Sequence, residues 1–191
     1  MNIQLIEKPF RYVLIDDFYD EDELKLVKEE ITAFAPYGLT ASKTGSKSNA
    51  KTGTGLFLDK FFSQDRTTSK ILNANRKLFC DEIYEKAVSL DSSFGAIKHV
   101  DLDVTLINYY QDKEEYKSHK DFCPLTALTF FSIGDFTGGD FYFPDYYETV
   151  KFKENRLVMF PGCVSHQALP INAEKGCYRV SIAQFLSYVP K

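Results

Sequence analysis

The sequence predicts an α+β fold that is mainly β: a double-stranded β-helix, or jelly roll, of two facing sheets flanked by N-terminal helices. Two observations predict it. Apolar residues at helical spacing are confined to the first half of the chain, whereas short β-prone runs follow one another from Val100 onward, separated by turn signals such as Gly138-Gly139 and Pro161-Gly162. Many short strands after a helical layer favour packed sheets over an alternating α/β arrangement.

Length and composition narrow the class of protein. The 191 residues fit one domain, and contents of 44% hydrophobic and 15% aromatic residues are typical of a globular chain. The net charge of -4 gives no excess of Lys and Arg for phosphates, so we expect no nucleic-acid partner. No run approaches the ~20 apolar residues of a membrane span, and residues 1–10 lack a signal-peptide pattern, so we expect no membrane contact.

The spacing of the cysteines indicates whether the protein belongs to a reducing or an oxidising compartment of the cell. The chain has 4 cysteines, Cys80, Cys123, Cys163 and Cys177, which lie far apart without a Cys-x-x-Cys pair. Such spacing is typical neither of a zinc knuckle nor of a redox motif. We therefore expect reduced thiols that pack as small buried side chains, in a cytoplasmic protein.

The supporting half of the domain, residues 1–99, starts with strand and helix signals. A β-prone run covers 12–15, and Asp20 with Glu23 three residues later is the pattern of a helix N-terminus. The helix that follows ends near Pro36, and a second, longer amphipathic helix is predicted over 71–90. Both helices are expected to flank a few strands.

Residues 40–55 differ in composition from their surroundings. Small polar residues dominate, aromatic residues are absent, and Lys43, Lys47 and Lys51 appear without an acid among them. A mobile loop of this length is either a lid over a substrate or a passive insertion, and the sequence leaves both open. Its lysines are a weak indication of an acidic or carboxylate-bearing substrate.

The catalytic half is predicted as residues 100–191 and consists of strands. The runs are Val104–Tyr110, Leu125–Ile133, Phe141–Phe143, Val150–Phe152, Leu157–Phe160 and Tyr178–Phe185.

Three residues of this half form a candidate metal site. His119 and Asp121 lie two positions apart, so on an extended segment both side chains leave the same face. His166 follows the strand that ends at Phe160. Two imidazoles and one carboxylate are the facial triad typical of non-haem Fe(II) sites. The third histidine, His99, stands apart and is given no role.

Arg179 and Ser181 form a candidate anion site. They alternate on a predicted strand and therefore point to one face. A buried guanidinium there needs an anionic partner, which is either a bound carboxylate or an acid of the protein itself. Their position after His166 favours the bound carboxylate.

The motifs resemble a known family in order and spacing. The segment 110–121, with Tyr110, Tyr116, His119 and Asp121, is similar to the Tyr-x5-Tyr-x2-His-x-Asp segment of prolyl 4-hydroxylase-like, Fe(II)- and 2-oxoglutarate-dependent dioxygenases. Gly138-Gly139-Asp140 resembles that family's glycine hairpin, and the run 156–161 followed by His166 resembles its distal-histidine strand. Arg179-x-Ser181 then stands where the family binds its co-substrate.

The resemblance implies an activity, cofactors and residue roles. His119, Asp121 and His166 would be the Fe(II) ligands and catalytic residues. Arg179 and Ser181 would bind 2-oxoglutarate, with Tyr110 rather than Tyr109, and Tyr116 would either assist or only pack. O2 is the second co-substrate and ascorbate a further cofactor. Six phenylalanines are expected around the site: Phe122, Phe130, Phe131, Phe141, Phe143 and Phe160.

The implied reaction is hydroxylation of a C–H bond with release of succinate and CO2. Its substrate would be a peptidyl proline, another protein residue or, as an alternative, a small molecule. A jelly-roll metalloenzyme of another class, using zinc or manganese, and a non-catalytic binding module remain open as further alternatives. The oligomeric state is not readable from the sequence.

Overall fold

The computed structural model describes residues 1–38, 40, 43 and 50–188. These residues form two facing sheets and a separate two-stranded sheet, with helices on the outer face of the largest sheet. The strands are β1 (Asn2–Ile6), β2 (Tyr12–Asp16), β3 (Thr54–Phe57), β4 (Leu102–Tyr110), β5 (Tyr116–His119), β6 (Leu125–Ile133), β7 (Phe136–Gly138), β8 (Phe141–Phe143), β9 (Glu148–Val150), β10 (Leu157–Pro161), β11 (His166–Ala168), β12 (Ile171–Ala173) and β13 (Tyr178–Ser187). The α-helices are α1 (Glu21–Phe34), α2 (Leu58–Phe61), α3 (Lys70–Ala74) and α4 (Asp81–Leu90).

The larger sheet is antiparallel and has the strand order β1-β2-β10-β6-β13-β4-β3. β13 pairs with β6 along one edge and with β4 along the other. Its side chains alternate between two environments, since Val180 and Ile182 join the core under the helices, whereas Arg179, Ser181 and Ala183 face the smaller sheet. The larger sheet thus separates the helical layer from the cavity.

The smaller sheet has the order β5-β11-β8-β9 and covers the inner face of the larger one. A second core lies between the two sheets, where Phe141 and Phe143 of β8 pack with Phe130 of β6 and Phe160 of β10. The predicted fold class, a jelly roll with flanking helices, is therefore confirmed. Of the aromatic residues expected around the site, Phe131 points instead to the helical side, so the expectation is wrong for this residue. Phe122 is fully exposed, at the rim of the cavity that it helps to line.

Helix α1 begins where the acidic run predicted it. The backbone N–H of Glu23 donates to Asp20 Oδ1 at 2.9 Å, and the backbone N–H of Asp20 donates to Glu23 Oε2 at 3.0 Å, which is a complete capping box. Val27 and Ile31 bury the inner face of the helix against the larger sheet. A cap of this kind stabilises a helix by about 1 kcal/mol.

The prediction of one long helix over 71–90 is wrong. The segment consists of α3, a 3-10 turn over Asn75–Phe79 and α4. Asn75 is buried at the break, where its side chain accepts from the Tyr19 hydroxyl and donates to Thr105 Oγ1 at 3.1 Å. Cys80 then adopts an extended conformation before α4. Tertiary hydrogen bonds of a polar residue thus override the continuous apolar periodicity.

Most of the strands predicted in the second half are present with ends that differ by a few residues. The run predicted over Val150–Phe152 is displaced, because the strand is Glu148–Val150. The short strands β1, β3, β5, β7, β11 and β12 were not predicted from the sequence. Runs of 3 to 5 residues carry too few alternations to be recognised by pattern.

The segment predicted as a mobile loop, 40–55, lies partly outside the described residues. The prediction of a lid concerns that part and stays a prediction. The last part of the segment is not a loop. Ala50 and Thr52 bond to the backbone of β5 and of the residue before it, with Lys117 N–H donating to Ala50 O at 2.7 Å and Thr52 N–H to Glu115 O at 3.1 Å. Residues 54 and 55 belong to β3 on the larger sheet, so residues 50–57 connect the two sheets.

The four cysteines are free, as expected from their spacing. The expectation that they are buried is wrong for Cys163, which is exposed, and the other three are only half-buried. Within the described part of the chain, no helix combines the length and the apolar character needed to span a lipid bilayer.

Candidate functional site

Strand pairing in the smaller sheet brings two histidines together. His119 ends β5, His166 begins β11, and the two residues are direct partners in the antiparallel register. Asp121 follows two residues after His119, and the candidate ligand atoms of the three residues all lie within 4.8 Å of one another. The residues that the sequence predicted as a triad are thus adjacent in space.

Backbone carbonyls fix the orientation of both imidazoles. His119 Nδ1 lies 2.8 Å from Lys117 O, and His166 Nδ1 lies 3.0 Å from Val164 O. A carbonyl accepts only, so each Nδ1 carries the proton and each Nε2 is left with its lone pair. The Nε2 atoms of His119 and His166 lie 3.9 Å and 3.4 Å from the Asp121 carboxylate oxygens, so all three donors converge.

The carboxylate of the triad is also held in place. Thr126 Oγ1 donates to Asp121 Oδ2 at 2.6 Å, and the backbone N–H of Asp121 donates to Gly162 O at 2.9 Å. Gly162 passes so close to this turn that a Cβ on it would lie 2.3 Å from Cys123 O. The orientation of Asp121 therefore depends on Thr126 and on a glycine at position 162.

Burial sets the charge states of the triad. Desolvation lowers the pKa of both histidines to about 4, for His119 with a further contribution from the neighbouring His166. Desolvation also raises the pKa of the Asp121 carboxyl above its ordinary value. Neutral imidazoles at neutral pH are the form that binds a metal, and a desolvated carboxylate is stabilised by a bound cation.

The triad opens into a cavity of about 700 Å³ between the two sheets. Its walls include Tyr110 and Asn108 from β4, Arg179 and Ser181 from β13, and the three triad residues. The two predicted sites, metal ligands and anion-binding residues, therefore share one cavity.

Arg179 is a buried cation without a complete set of partners. Its side chain is 0% exposed, and Nε donates to Gly139 O at 2.7 Å. Nη1 and Nη2 have no hydrogen-bond partner among the described residues. The guanidinium lies 5.3 Å from the Tyr110 ring centroid and 5.2 Å from that of Phe130, and burial lowers its pKa to about 10. Such a guanidinium fits a bound carboxylate, which satisfies both nitrogens at once.

The glycine hairpin next to Arg179 is required by its geometry. Gly139 has φ +74°, and a Cβ on it would lie 2.7 Å from Ile171 Cγ2 and 3.0 Å from Arg179 Cδ. Another residue would be strained there and would displace the arginine side chain. The hairpin thus positions the Gly139 carbonyl, which accepts a hydrogen bond from Arg179 Nε and so orients the arginine side chain.

The two adjacent tyrosines of β4 face opposite sides of the sheet. Tyr110 is opposite Arg179 in the register and lines the cavity, as the motif spacing predicted. Tyr109 points into the helical layer, where its hydroxyl donates to Ile31 O at 2.7 Å. Tyr116 stacks on His119 with ring centroids 3.6 Å apart. Burial raises the Tyr110 pKa, so that its hydroxyl remains a donor at neutral pH. The co-substrate roles of Tyr110, Tyr116, Arg179 and Ser181 stay predictions.

Sequence reasoning missed Asn108 and misassigned Lys51. Asn108 lines the cavity two residues before Tyr110 on the same face of β4, so strand parity was the signal available for it. Lys51 is buried and bonded to Asn108, although its surroundings in the sequence indicated a loop. His99 ends a 3-10 turn over Ser92–Lys98 and lies outside the triad.

The donor set fits Fe(II), because two neutral nitrogens and one carboxylate oxygen match the facial triad in both chemistry and arrangement. The unpartnered guanidinium of Arg179 fits a second carboxylate-bearing group in the same cavity.

Comparisons with known proteins find similarity in structure only. No protein-family model and no curated protein matches the sequence. A prolyl-4-hydroxylase from Pseudomonas putida matches with a TM-score of 0.66 and 17% identity, over 93% of this chain and 92% of that one. A prolyl hydroxylase from Trichoplax adhaerens, in complex with a peptide fragment of a hypoxia inducible factor oxygen degradation domain, matches with a TM-score of 0.63 and 14% identity, over 92% and 83%. The viral collagen prolyl hydroxylase of Paramecium bursaria Chlorella virus-1, in complex with 2-oxoglutarate, matches with a TM-score of 0.57 and 16% identity, over 93% and 96%.

These matches extend over nearly the whole chain, at identities that establish a fold and leave the activity to be argued from the site. The chain therefore has the double-stranded β-helix fold of the prolyl hydroxylases to which it is similar.

Proposed function

We propose that the protein is an Fe(II)- and 2-oxoglutarate-dependent dioxygenase that hydroxylates a C–H bond and releases succinate and CO2. The observation that carries the proposal is the pair of unpartnered, buried Arg179 nitrogens in the same cavity as the triad of His119, Asp121 and His166. A metal site alone suits many enzymes. A metal site that shares its cavity with an unsatisfied guanidinium suits a metal-bound dicarboxylate.

The triad would hold Fe(II) through the Nε2 atoms of His119 and His166 and a carboxylate oxygen of Asp121. Three ligands on one face leave the opposite positions open for other groups. When bound, iron supplies the activation of O2 that is coupled to decarboxylation of 2-oxoglutarate. The hydrogen bonds from Nδ1 of each histidine and from Thr126 to Asp121 keep these donors aligned.

Arg179 would bind the distal carboxylate of 2-oxoglutarate with its two free nitrogens. Its Nε is already committed to Gly139 O, so the planar fork cannot rotate away from the cavity. The hydroxyls of Ser181 and Tyr110 lie on the same wall and would donate to the same carboxylate. Charged, bidentate hydrogen bonds in a buried site give both affinity and a fixed orientation.

An apolar wall would protect the reaction from water. The rings of Phe160 and Phe141 lie 4.8 Å and 5.5 Å from that of His166. Phe130 closes the cavity behind Arg179. Hydrophobic surroundings limit access of solvent to a reactive metal site and strengthen its electrostatic interactions.

For the substrate we propose a protein residue, with peptidyl proline as the first candidate. Support comes from the similarity to prolyl hydroxylases, one of which was solved with a peptide fragment. O2 is the proposed second co-substrate and ascorbate a proposed reductant. A small-molecule substrate is the alternative that the activity test below decides.

A zinc or manganese enzyme of another class explains the triad but gives no reason for the free nitrogens of Arg179. Analysis of the metal in anaerobically purified protein separates this alternative from the proposal, which expects iron.

The test is succinate formation by protein reconstituted with Fe(II), 2-oxoglutarate and O2 in the presence of a proline-containing peptide library. We expect succinate and peptides heavier by one oxygen atom. His119→Ala is expected to abolish both, whereas the matched variant His99→Ala, which lies outside the triad, retains them. Succinate formation that is the same in His119→Ala as in the wild type would contradict the proposal. Succinate without any oxidised peptide would direct the search to small molecules.

A further inference from the structure

Lys51 is a buried cation next to the cavity wall. Its side chain is 1% exposed, and Nζ donates to Asn108 Oδ1 at 2.6 Å. Among the described residues no carboxylate lies within ion-pair distance of Nζ. The ammonium also lies 5.9 Å from the ring centroid of Tyr116. A lysine is seldom buried to this degree without an acid, so its location calls for an explanation.

The space for this ammonium exists because residue 55 is a glycine. Gly55 on β3 is the direct partner of Asn108 on β4. A Cβ on Gly55 would lie 2.8 Å from Lys51 Nζ and 3.2 Å from Asn108 Oδ1. β3 lies beside β4, and residues 50–52 bond to β5. Lys51 therefore lies where the chain passes from one sheet to the other, next to the position at which Gly55 has no side chain.

The contact with Lys51 determines which end of the Asn108 amide faces the cavity. An ammonium donates hydrogen bonds and cannot accept them, so the amide oxygen must be the atom that faces Lys51. The amide NH2 group is then turned away from Lys51, on the side of Asn108 that lines the cavity. With its oxygen bonded to Lys51, the Asn108 amide has its NH2 group left to donate to a ligand in the cavity.

Asn108 lies between the two ends of the proposed site. It is opposite Ser181 in the register, and thus two residues, about 7 Å, along the strands from the pair formed by Tyr110 and Arg179. Further along β13, Phe185 is opposite Thr126, the residue that bonds to Asp121. Asn108 thus lines the same cavity as Arg179 and the triad, two residues from the pair of Tyr110 and Arg179 in the direction of the β13 end that lies beside Thr126.

We propose that Lys51 is a positioning residue: it holds Asn108 so that the amide NH2 donates to an oxygen of the bound 2-oxoglutarate between its two ends. This inference rests on the proposed function, because 2-oxoglutarate is the ligand. The positive charge of Lys51 further favours a dianion in a cavity that is also lined by Arg179, whose Nη1 and Nη2 have no hydrogen-bond partner among the described residues.

The test is calorimetric titration of 2-oxoglutarate onto the protein loaded with Mn(II), which occupies the metal site without turnover. Lys51→Met removes the donor that fixes the amide, and we expect the Kd for 2-oxoglutarate to rise about tenfold, the scale of one hydrogen bond to a charged group. Asn108→Asp keeps a partner for Lys51 but replaces the cavity donor with a carboxylate, so the Kd should rise about a hundredfold or more. Lys77→Met, a half-buried lysine that bonds to Glu23 beneath α1, is the matched control and should leave the Kd unchanged.

Two further readouts separate positioning from a structural role. Neither Lys51 nor Asn108 belongs to the triad, and both variants make the surroundings of His119 less positive, so the affinity for Mn(II) should not fall in either variant. Asn108→Asp should also melt at the same temperature as the wild type or higher, because it creates an ion pair with Lys51. Loss of metal affinity and melting temperature in parallel with 2-oxoglutarate affinity would overturn the inference, as would wild-type affinity for 2-oxoglutarate in both variants. Failure of the wild type itself to bind 2-oxoglutarate would instead refute the proposed function.

Discussion

Replacing Arg179 by methionine should change stability and ligand binding in opposite directions. The guanidinium is fully buried, and among the described residues it bonds to Gly139 O while Nη1 and Nη2 have no partner. Methionine is unbranched and can occupy the same channel between the rings of Tyr110 and Phe130. The substitution therefore removes an uncompensated charge without opening a large cavity.

The effect on the ligand-free protein is a balance of two contributions. Replacing buried ionic groups by apolar residues of similar volume is neutral or stabilises proteins by about 1–4 kcal/mol. Loss of the hydrogen bond to Gly139 O costs about 1 kcal/mol. The net effect therefore lies between a loss of about 1 and a gain of about 3 kcal/mol, and each 1 kcal/mol changes the melting temperature by about 2–4 °C for a chain of this length.

The effect on binding is larger and of the opposite sign. Two charged hydrogen bonds of about 1.5–3 kcal/mol each are lost, which raises the Kd for 2-oxoglutarate by roughly 10² to 10⁴. In the wild type, metal and 2-oxoglutarate at about 100 times the Kd should stabilise the fold by about 2.7 kcal/mol. In Arg179→Met, the contribution of 2-oxoglutarate should disappear.

The assay is thermal unfolding with Mn(II), with and without 2-oxoglutarate. Arg156→Met is the matched control, because Arg156 is a compensated arginine whose Nε and Nη2 donate to Asp16 at 2.6 Å and 3.0 Å. That variant should melt at a lower temperature and keep the full shift with 2-oxoglutarate. An Arg179→Met variant that loses more than about 1 kcal/mol of stability without ligand, or that keeps the wild-type shift with 2-oxoglutarate, would contradict the prediction.

Three more predictions concern the triad. Thr126→Val removes the hydrogen bond that orients the Asp121 carboxylate at nearly constant volume, and should weaken Mn(II) binding by about 10- to 100-fold, whereas Thr126→Ser should restore it; equal affinities in both variants would speak against the bond. Gly162→Ala places a Cβ 2.3 Å from Cys123 O, so the free energy of unfolding measured in urea should fall by about 1–3 kcal/mol and the affinity for Mn(II) should fall as well. An unchanged free energy of unfolding would mean that the turn can relax. Burial lowers the pKa of His166 from 6.5 to about 4. Between these two pH values the unfolded chain binds more protons than the folded one, so the stability of the metal-free protein should decrease as the pH falls from about 6.5 to 4. His166→Gln should show a shallower pH dependence of the melting temperature, and an unchanged slope would contradict the assignment.

The parts of the fold that the sequence predicted are those in which one pattern decides the outcome. The alternation of Arg179 and Ser181 predicted their common face because β13 is long and regular. The capping pattern of Asp20 and Glu23 is local, and so it located the start of α1. By contrast, the break at Asn75 depends on hydrogen bonds to Tyr19 and Thr105, which are distant in sequence.

The metal ligands and the cavity-lining residues Tyr110, Arg179 and Ser181 were predicted from the sequence, whereas Lys51 and Asn108 were not. His119, Asp121 and His166 were found through a spaced motif. The short strands that place the two histidines opposite each other carry too little pattern to be recognised. Lys51 was assigned to a loop because its neighbours are polar. Its burial follows from pairing with β5 and from the missing side chain of Gly55, which only the three-dimensional arrangement shows.

A crystal structure with Mn(II) and 2-oxoglutarate tests the central claim most directly, namely that one cavity holds a metal on the triad and a dicarboxylate on Arg179. We predict the metal on Nε2 of His119, Nε2 of His166 and the Asp121 carboxylate. We also predict a carboxylate about 2.7–2.9 Å from Nη1 and Nη2 of Arg179. A metal bound elsewhere, or an Arg179 fork turned away from the ligand toward an acid of the protein, would contradict the account.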